Sequence, residues 1–171
     1  MFPVPALLAR RALCGVGQLS HKTCQPSPPD LACQPLLLGK VQNMMTLAHE
    51  SGLQLAKRLN TGDLSALELL DYFLGRVGRF NPELNAIIEL QEEEARARAI
   101  AADKALALER GKPLGPFHGV PMTIKESFDV AGMHTTRGNP AFKDHIATTD
   151  ALAVSRLRKA GANIFGKTNV P

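Results

Sequence analysis

Tryptophan is absent and tyrosine occurs once in the 171 residues, so the chain has no set of aromatic side chains on which nucleic-acid bases could stack. Histidine is scattered: His21, His49, His118, His134 and His145 form no H-x-x-x-H pair, and a metal centre has no support in their spacing. Three cysteines, Cys14, Cys24 and Cys33, are too few and too irregular for a zinc pattern, and an odd number makes no closed disulfide framework. They read as incidental thiols. No apolar run approaches 18 residues, which excludes a transmembrane segment. A basic block is also missing. The net charge of +4 sits mostly in residues 1–43, where Arg10, Arg11, Lys22 and Lys40 face Asp30 alone. Residues 44–171 are nearly neutral, so no nucleic-acid partner is expected.

What is present is 44% apolar and 21% charged residues in a length that suits one soluble globular domain. Residues 1–43 hold six of the twelve prolines and all the cysteines, and they show no sustained periodicity. They read as an extension outside the fold, disordered or targeting-like, with the folded part spanning 44–171. The acid-free, arginine-bearing start MFPVPALLARRAL resembles a mitochondrial presequence. Translation starting at Met44 or Met45 is the equal alternative. The expected compartment is the cytoplasm, with the mitochondrion as the alternative that this start suggests.

Beyond Thr46 the periodicity sharpens. Ser51–Asn60 predicts a short helix carrying Leu53, Ala56 and Leu59, closed by the Thr61-Gly62 turn. Ser65 and Glu68 make an S-x-x-E capping box, followed by Ala66, Leu70, Phe73, Leu74 and Val77 on one helical face. Asn81-Pro82 is expected to end that helix, because the residue before proline resists helical ψ. Ala86–Leu90 predicts a strand. An alanine-rich helix comes next, from about 91 to 110, with Glu92–Arg96 and Glu94–Arg98 as i, i+4 pairs and Gly111 as its cap. Val120–Ile124 predicts a second strand leading into Lys125. Thr149 or Asp150 is expected to cap a further helix through Lys159, with Leu152, Val154 and Leu157 inward and Gly161 at its end. Ala162–Phe165 is the next strand. This order predicts an α/β fold with crossover units in a mixed or parallel sheet.

Within GANIFGKTN, Gly161, Gly166, Lys167 and Thr168 satisfy the G-x-x-x-x-G-K-[ST] phosphate-loop pattern. A working loop needs a strand before its first glycine and a helix from its lysine. Here Gly161 comes after a helix and the strand lies between the two glycines, so the context is inverted. Nucleotide binding therefore stays an alternative only.

Lys125 closes an apolar run and precedes a stretch of small, turn-forming residues: Gly132, Thr135, Thr136 and Gly138. Held at the edge of an apolar strand, a lysine loses hydration and can serve as a base near neutral pH. The plainer reading is that it snorkels, or pairs with Glu126 or Asp129. Ser127, two residues on, could share its strand face.

The pieces FHGVPMTIKESFDVAGMHTTRG and ATTDALAVSRLRKAGANIFGKTNVP, in that order, resemble the N-terminal part of an amidase signature family domain, and TGDLSALELLDYFLGRVGRFNPELNAI resembles that family's entry region. The similarity covers about residues 46–171. It implies a mixed-sheet fold with helices packed on it, incomplete in this chain, and makes GKTN a core strand and turn. It also implies hydrolysis of a small-molecule amide by a nucleophilic serine, a second serine in a cis peptide and a lysine, without metal or organic cofactor. By this resemblance Lys125 is the triad lysine.

The Gly-Gly-Ser-Ser-Gly-Gly type loop that carries both serines and the oxyanion donors in the family is not found among these residues. The expectation is a truncated product or a piece of a longer reading frame, inactive by itself and exposing an unpaired sheet edge that favours aggregation. A non-catalytic paralogue that binds a full-length relative is the alternative from another class. A tRNA-dependent amidotransferase subunit is a further possibility, although Val170-Pro171 after GKTN looks more like the general amidases.

Overall fold

Ser51 takes the Gln54 N–H on its hydroxyl while the Gln54 side chain takes the Ser51 N–H at 2.6 Å, and this reciprocal cap starts helix α1 (Gly52–Thr61). In the computed structural model, which describes residues 47–109 and 114–170, α1 ends on Gly62 in the left-handed region at φ +78°. Residues 1–43, their cysteines and the alternative starts at Met44 and Met45 lie outside the described residues.

Helix α2 (Ala66–Leu84) opens with the predicted Ser65–Glu68 capping box. Its first turn has a second acceptor: the Asp103 carboxylate takes the N–H groups of Ala66 at 2.7 Å and Leu67 at 3.2 Å. Contrary to the sequence reading, the helix does not stop at Asn81; Pro82 lies inside it. The missing N–H costs one bond to the carbonyl a turn back, and because Pro82 sits in the last turn the loss stays at the helix end. Asn81 then holds the exit, its carbonyl accepting from Asn85 N and its side chain bonding both N and O of Ile87 at 2.8 Å.

Strand β1 (Ile87–Leu90) leads into helix α3 (Glu92–Leu108), which presents Ala95 and Ala99 to the core. The predicted i, i+4 pairs do not close among the described residues. Arg96 reaches across to Asp71 on α2, and Arg98 bonds Asn163 Oδ1 at 3.0 Å and the Ile164 carbonyl at 2.7 Å. Both arginines thus join α3 to its neighbours, Arg96 by an exposed ion pair and Arg98 through acceptors fixed on β3, which compete well with a solvated partner one turn away. Gly111, expected as the cap of α3, lies outside the described residues.

Strand β2 (Pro121–Lys125), helix α4 (Leu152–Lys159) and strand β3 (Asn163–Thr168) complete the described strands and α-helices. The sheet has the order β1-β3-β2, with β1 antiparallel and β2 parallel to the central β3. This is the mixed α/β sheet expected. Two details of α4 differ from the sequence reading. Its N-cap is Ala151 without a side-chain bond, since Asp150 turns its carboxylate to Ala131 N and to Arg158. Leu152 is 69% exposed, because Val154 and Leu157 define the inward face and a residue two positions before Val154 points about 200° away.

The apolar side chains form two clusters. Leu55, Leu59, Leu69, Leu70, Ala95 and Ala99 from α1–α3 meet Phe165 and Val120 in the larger one. Ile124, Val130, Met133, Val154 and Ile164 form the other. Adjacent residues Ile164 and Phe165 therefore feed different clusters, as strand alternation requires. Helices α1–α3 and helix α4 thus belong to separate cores, joined through β3.

Candidate active site

The glycines of the phosphate-loop pattern are explained by space. A Cβ on Gly166 would lie 2.7 Å from the Glu89 carbonyl oxygen and 2.9 Å from Leu90 Cδ2, so β1 can approach β3 only where the side chain is absent. Gly161, at φ +91°, turns the chain against His118, whose Cα would be 2.7 Å from a Cβ. Both glycines answer a need of packing and backbone conformation. Gly166, Lys167 and Thr168 are consecutive residues of β3, which gives this segment neither the loop nor the following helix that phosphate binding needs.

Lys167 is fully buried. Its Nζ donates to the His134 carbonyl and, at 2.8 Å, to Thr135 Oγ1. Burial lowers its pKa; the carboxylates of Glu126, Glu89 and Asp129 act in the opposite direction, and Arg137 adds to the lowering. The position results from an irregularity in pairing. Met122 faces Ile164 and Thr123 faces Gly166, which leaves Phe165 as an extra residue on β3. Residues three apart point to opposite sides of a regular strand; the extra residue brings Lys167 to the side of Ile164, beside the segment that comes after Met133.

That segment, residues 134–138, is held by a charged residue from each strand region. From β1, Glu89 accepts from His134 N at 3.0 Å and meets His134 Nδ1 at 3.1 Å. From β3 comes Lys167. Just past β2, Glu126, only 1% exposed, takes the N–H groups of Thr136 and, at 2.9 Å, Arg137. Two consecutive amides thus converge on one carboxylate, and the chain turns away at Arg137 in a left-handed conformation at φ +55°. Glu126 is thereby committed to the loop, and Asp129 lies 3.6 Å from Arg137. Neither serves as the partner of Lys125 that the sequence suggested.

Lys125 itself is the last residue of β2 and is exposed. Its backbone is fixed: it pairs with Thr168, its carbonyl accepts from Phe128 N at 3.0 Å, and the next amide, Glu126 N, donates to the Thr168 carbonyl at 2.9 Å. The dehydrated amine of this region is therefore Lys167, and Lys125 is the accessible one. Ser127 does not share the strand face; it lies in the turn that begins at Glu126. Chemically, this end of the sheet offers one primary amine open to an incoming group, on a backbone whose neighbouring loop is pinned at three points. The roles of Lys167 and Glu126 were not legible in sequence, since each depends on a loop ten or more residues away or on a strand irregularity. Among the described residues no group of three or more His, Cys, Asp or Glu could hold a metal ion, and no helix is long and apolar enough to cross a membrane.

Comparison with known proteins identifies the family of the fold. The Amidase family model matches residues 68–171. The chain is 44% identical over 121 residues to an indoleacetamide hydrolase of Bradyrhizobium diazoefficiens, a match covering 71% of this chain and 23% of that protein. It is 36% identical over 169 residues to human fatty-acid amide hydrolase 2, covering 95% of this chain and 29% of the relative. Among solved structures, the peptide amidase from Stenotrophomonas maltophilia superposes with a TM-score of 0.63 at 35% identity, covering 72% of this chain and 25% of that one. The chain thus spans about a quarter of the length of the relatives it matches. With more than half its residues matched by the family model and its fold shared with solved members, the chain belongs to the amidase signature family.

Proposed function

We propose that Lys125 is the proton-transferring amine of a centre that hydrolyses small-molecule amides. The observation that carries the reading is its position: an exposed amine at the end of β2, its backbone bonded on both sides of the residue to fixed partners. The family pattern supplies the chemistry. A nucleophilic serine hands its proton through a bridging serine to the neutral lysine amine, and the resulting ammonium returns it to the leaving nitrogen as the acyl–nitrogen bond breaks. Water then releases the acid by the reverse relay.

Support for an amide substrate comes from the relatives, which are named as hydrolases of indoleacetamide and of fatty-acid amides. Neither triad serine is matched within these 171 residues, so the proposal concerns the lysine arm, and the purified 171-residue chain is expected not to turn over amides. The test is amide hydrolysis by the protein captured from its native host with an antibody to residues 46–171. Replacing Lys125 with alanine in that host should lower turnover by roughly 10²–10⁴-fold. Full activity in the variant would refute the assignment.

A further inference from the structure

A cleft of about 340 Å³ opens at the other end of β3. Its floor and walls are small, Ala101, Ala102, Gly161 and Ala162 among them, and the charged side chains lining it among the described residues are Arg98 of α3 and Arg158 of α4. No carboxylate of a described residue lines it. We propose that this cleft binds a small organic carboxylate, its charged end on Arg98 and its apolar part along the alanine surface of α3.

Arg98 is built for such a ligand. Its Nε and Nη2 hold Asn163 Oδ1 and the Ile164 carbonyl, and Asn163 is itself anchored by donating to the Ala95 carbonyl at 2.9 Å. One edge of the guanidinium is thus fixed by neutral acceptors. Its Nη1 carries no bond to any described residue, and the half-buried cation has no carboxylate bonded to it among them. A fork held in place on one side presents its other side with little entropy left to lose.

The surrounding charge points the same way. Burial and the like charge of Arg158 both lower the pKa of Arg98, against a smaller opposing effect of Glu94. A bound anion would relieve the repulsion between the two guanidiniums. Arg158 is neutralised in part by Asp150, 3.0 Å from its Nε. His118 donates from Nε2 to the Ala102 carbonyl at 2.9 Å, which fixes the ring at the cleft wall. A carboxylate suits this setting better than an inorganic ion, because the available volume exceeds what a bare oxyanion fills and the lining beyond the arginines is mostly apolar.

The test is titration of the 171-residue chain, shown to be folded by a cooperative melt in the same buffer, with benzoate, with neutral benzamide as the isosteric control, read by calorimetry at low ionic strength. Benzoate should bind at least about tenfold more tightly than benzamide, and Arg98→Met should weaken benzoate by about tenfold or more. Because Arg98 also braces β3, Ala101→Leu provides a second variant: it adds bulk at an exposed helix position and leaves Arg98 intact. It too should weaken benzoate. Equal binding of the acid and the amide, no detectable benzoate binding, or benzoate affinity unchanged in Ala101→Leu would overturn the assignment. The outcome is independent of the Lys125 reading, since neither lysine nor amide turnover enters it.

Discussion

Lys167 Nζ lies 2.8 Å from Thr135 Oγ1, and this bond ties the central strand to the loop beyond β2 from a fully buried position. With the His134 carbonyl as its second acceptor, the amine is satisfied by neutral oxygen atoms while its charge is opposed by burial. Replacing Lys167 with methionine keeps the length and removes the donor. One buried and one partly buried acceptor are then left unpaired, and a loss of about 1–3 kcal/mol is expected in urea denaturation at pH 7.

The same residue gives a pH signature. Its pKa is lowered in the folded chain, so between that lowered value and the ordinary lysine value of about 10.5 the unfolded chain binds more protons than the folded one. The penalty for holding the charge is fully present below the folded pKa and is relieved as the pH rises toward the unfolded one. The stability of the wild type relative to Lys167→Met should therefore increase with pH in that alkaline window. Parallel curves for the two proteins as the pH rises toward the ordinary lysine value would count against a dehydrated Lys167.

Glu126 can be examined through the amides it captures. In Glu126→Gln one neutral oxygen replaces the carboxylate that takes both Thr136 and Arg137 N–H groups. Hydrogen exchange at those two amides should quicken by at least about tenfold, a change that corresponds to roughly 1.4 kcal/mol. Exchange in α1, remote from the loop, should stay as it is.

Two glycines should respond in opposite directions. Gly166→Ala places a methyl group 2.7 Å from the Glu89 carbonyl oxygen, and forcing β1 from β3 should cost about 1–3 kcal/mol. Gly75, inside α2, has nothing within 4 Å of an added Cβ, so Gly75→Ala should stabilise by about 0.5–1 kcal/mol. Melting temperatures of the two variants decide both.

How far the sequence speaks for the fold depends on the range of the interaction involved. The Ser65–Glu68 cap and the left-handed Gly62 are legible because both are settled within four residues. The end of α2 escapes a sequence reading because Asn81, by bonding Ile87, stabilises an exit that proline chemistry alone does not foresee. Spacing makes Arg98 half of a helix-surface pair, whereas its attachment to Asn163 spans 65 positions. Strand β3 runs to Thr168, past the predicted end at Phe165, since pairing with both neighbours carries Lys167 into a buried position that its charge argues against. Lys125 is singled out by resemblance alone, and the structure adds that it is the accessible lysine of the two.

The measurement that bears most directly on the central claim is amide turnover by the protein expressed in its native host, compared between wild type, Lys125→Ala and Lys167→Met, each normalised to folded protein. If Lys125 carries the proton, Lys125→Ala loses roughly 10²–10⁴-fold in turnover with its melting temperature nearly unchanged, while Lys167→Met loses stability first and keeps turnover per folded molecule within a few-fold. Turnover that survives Lys125→Ala, or that disappears per folded molecule only in Lys167→Met, would contradict the account.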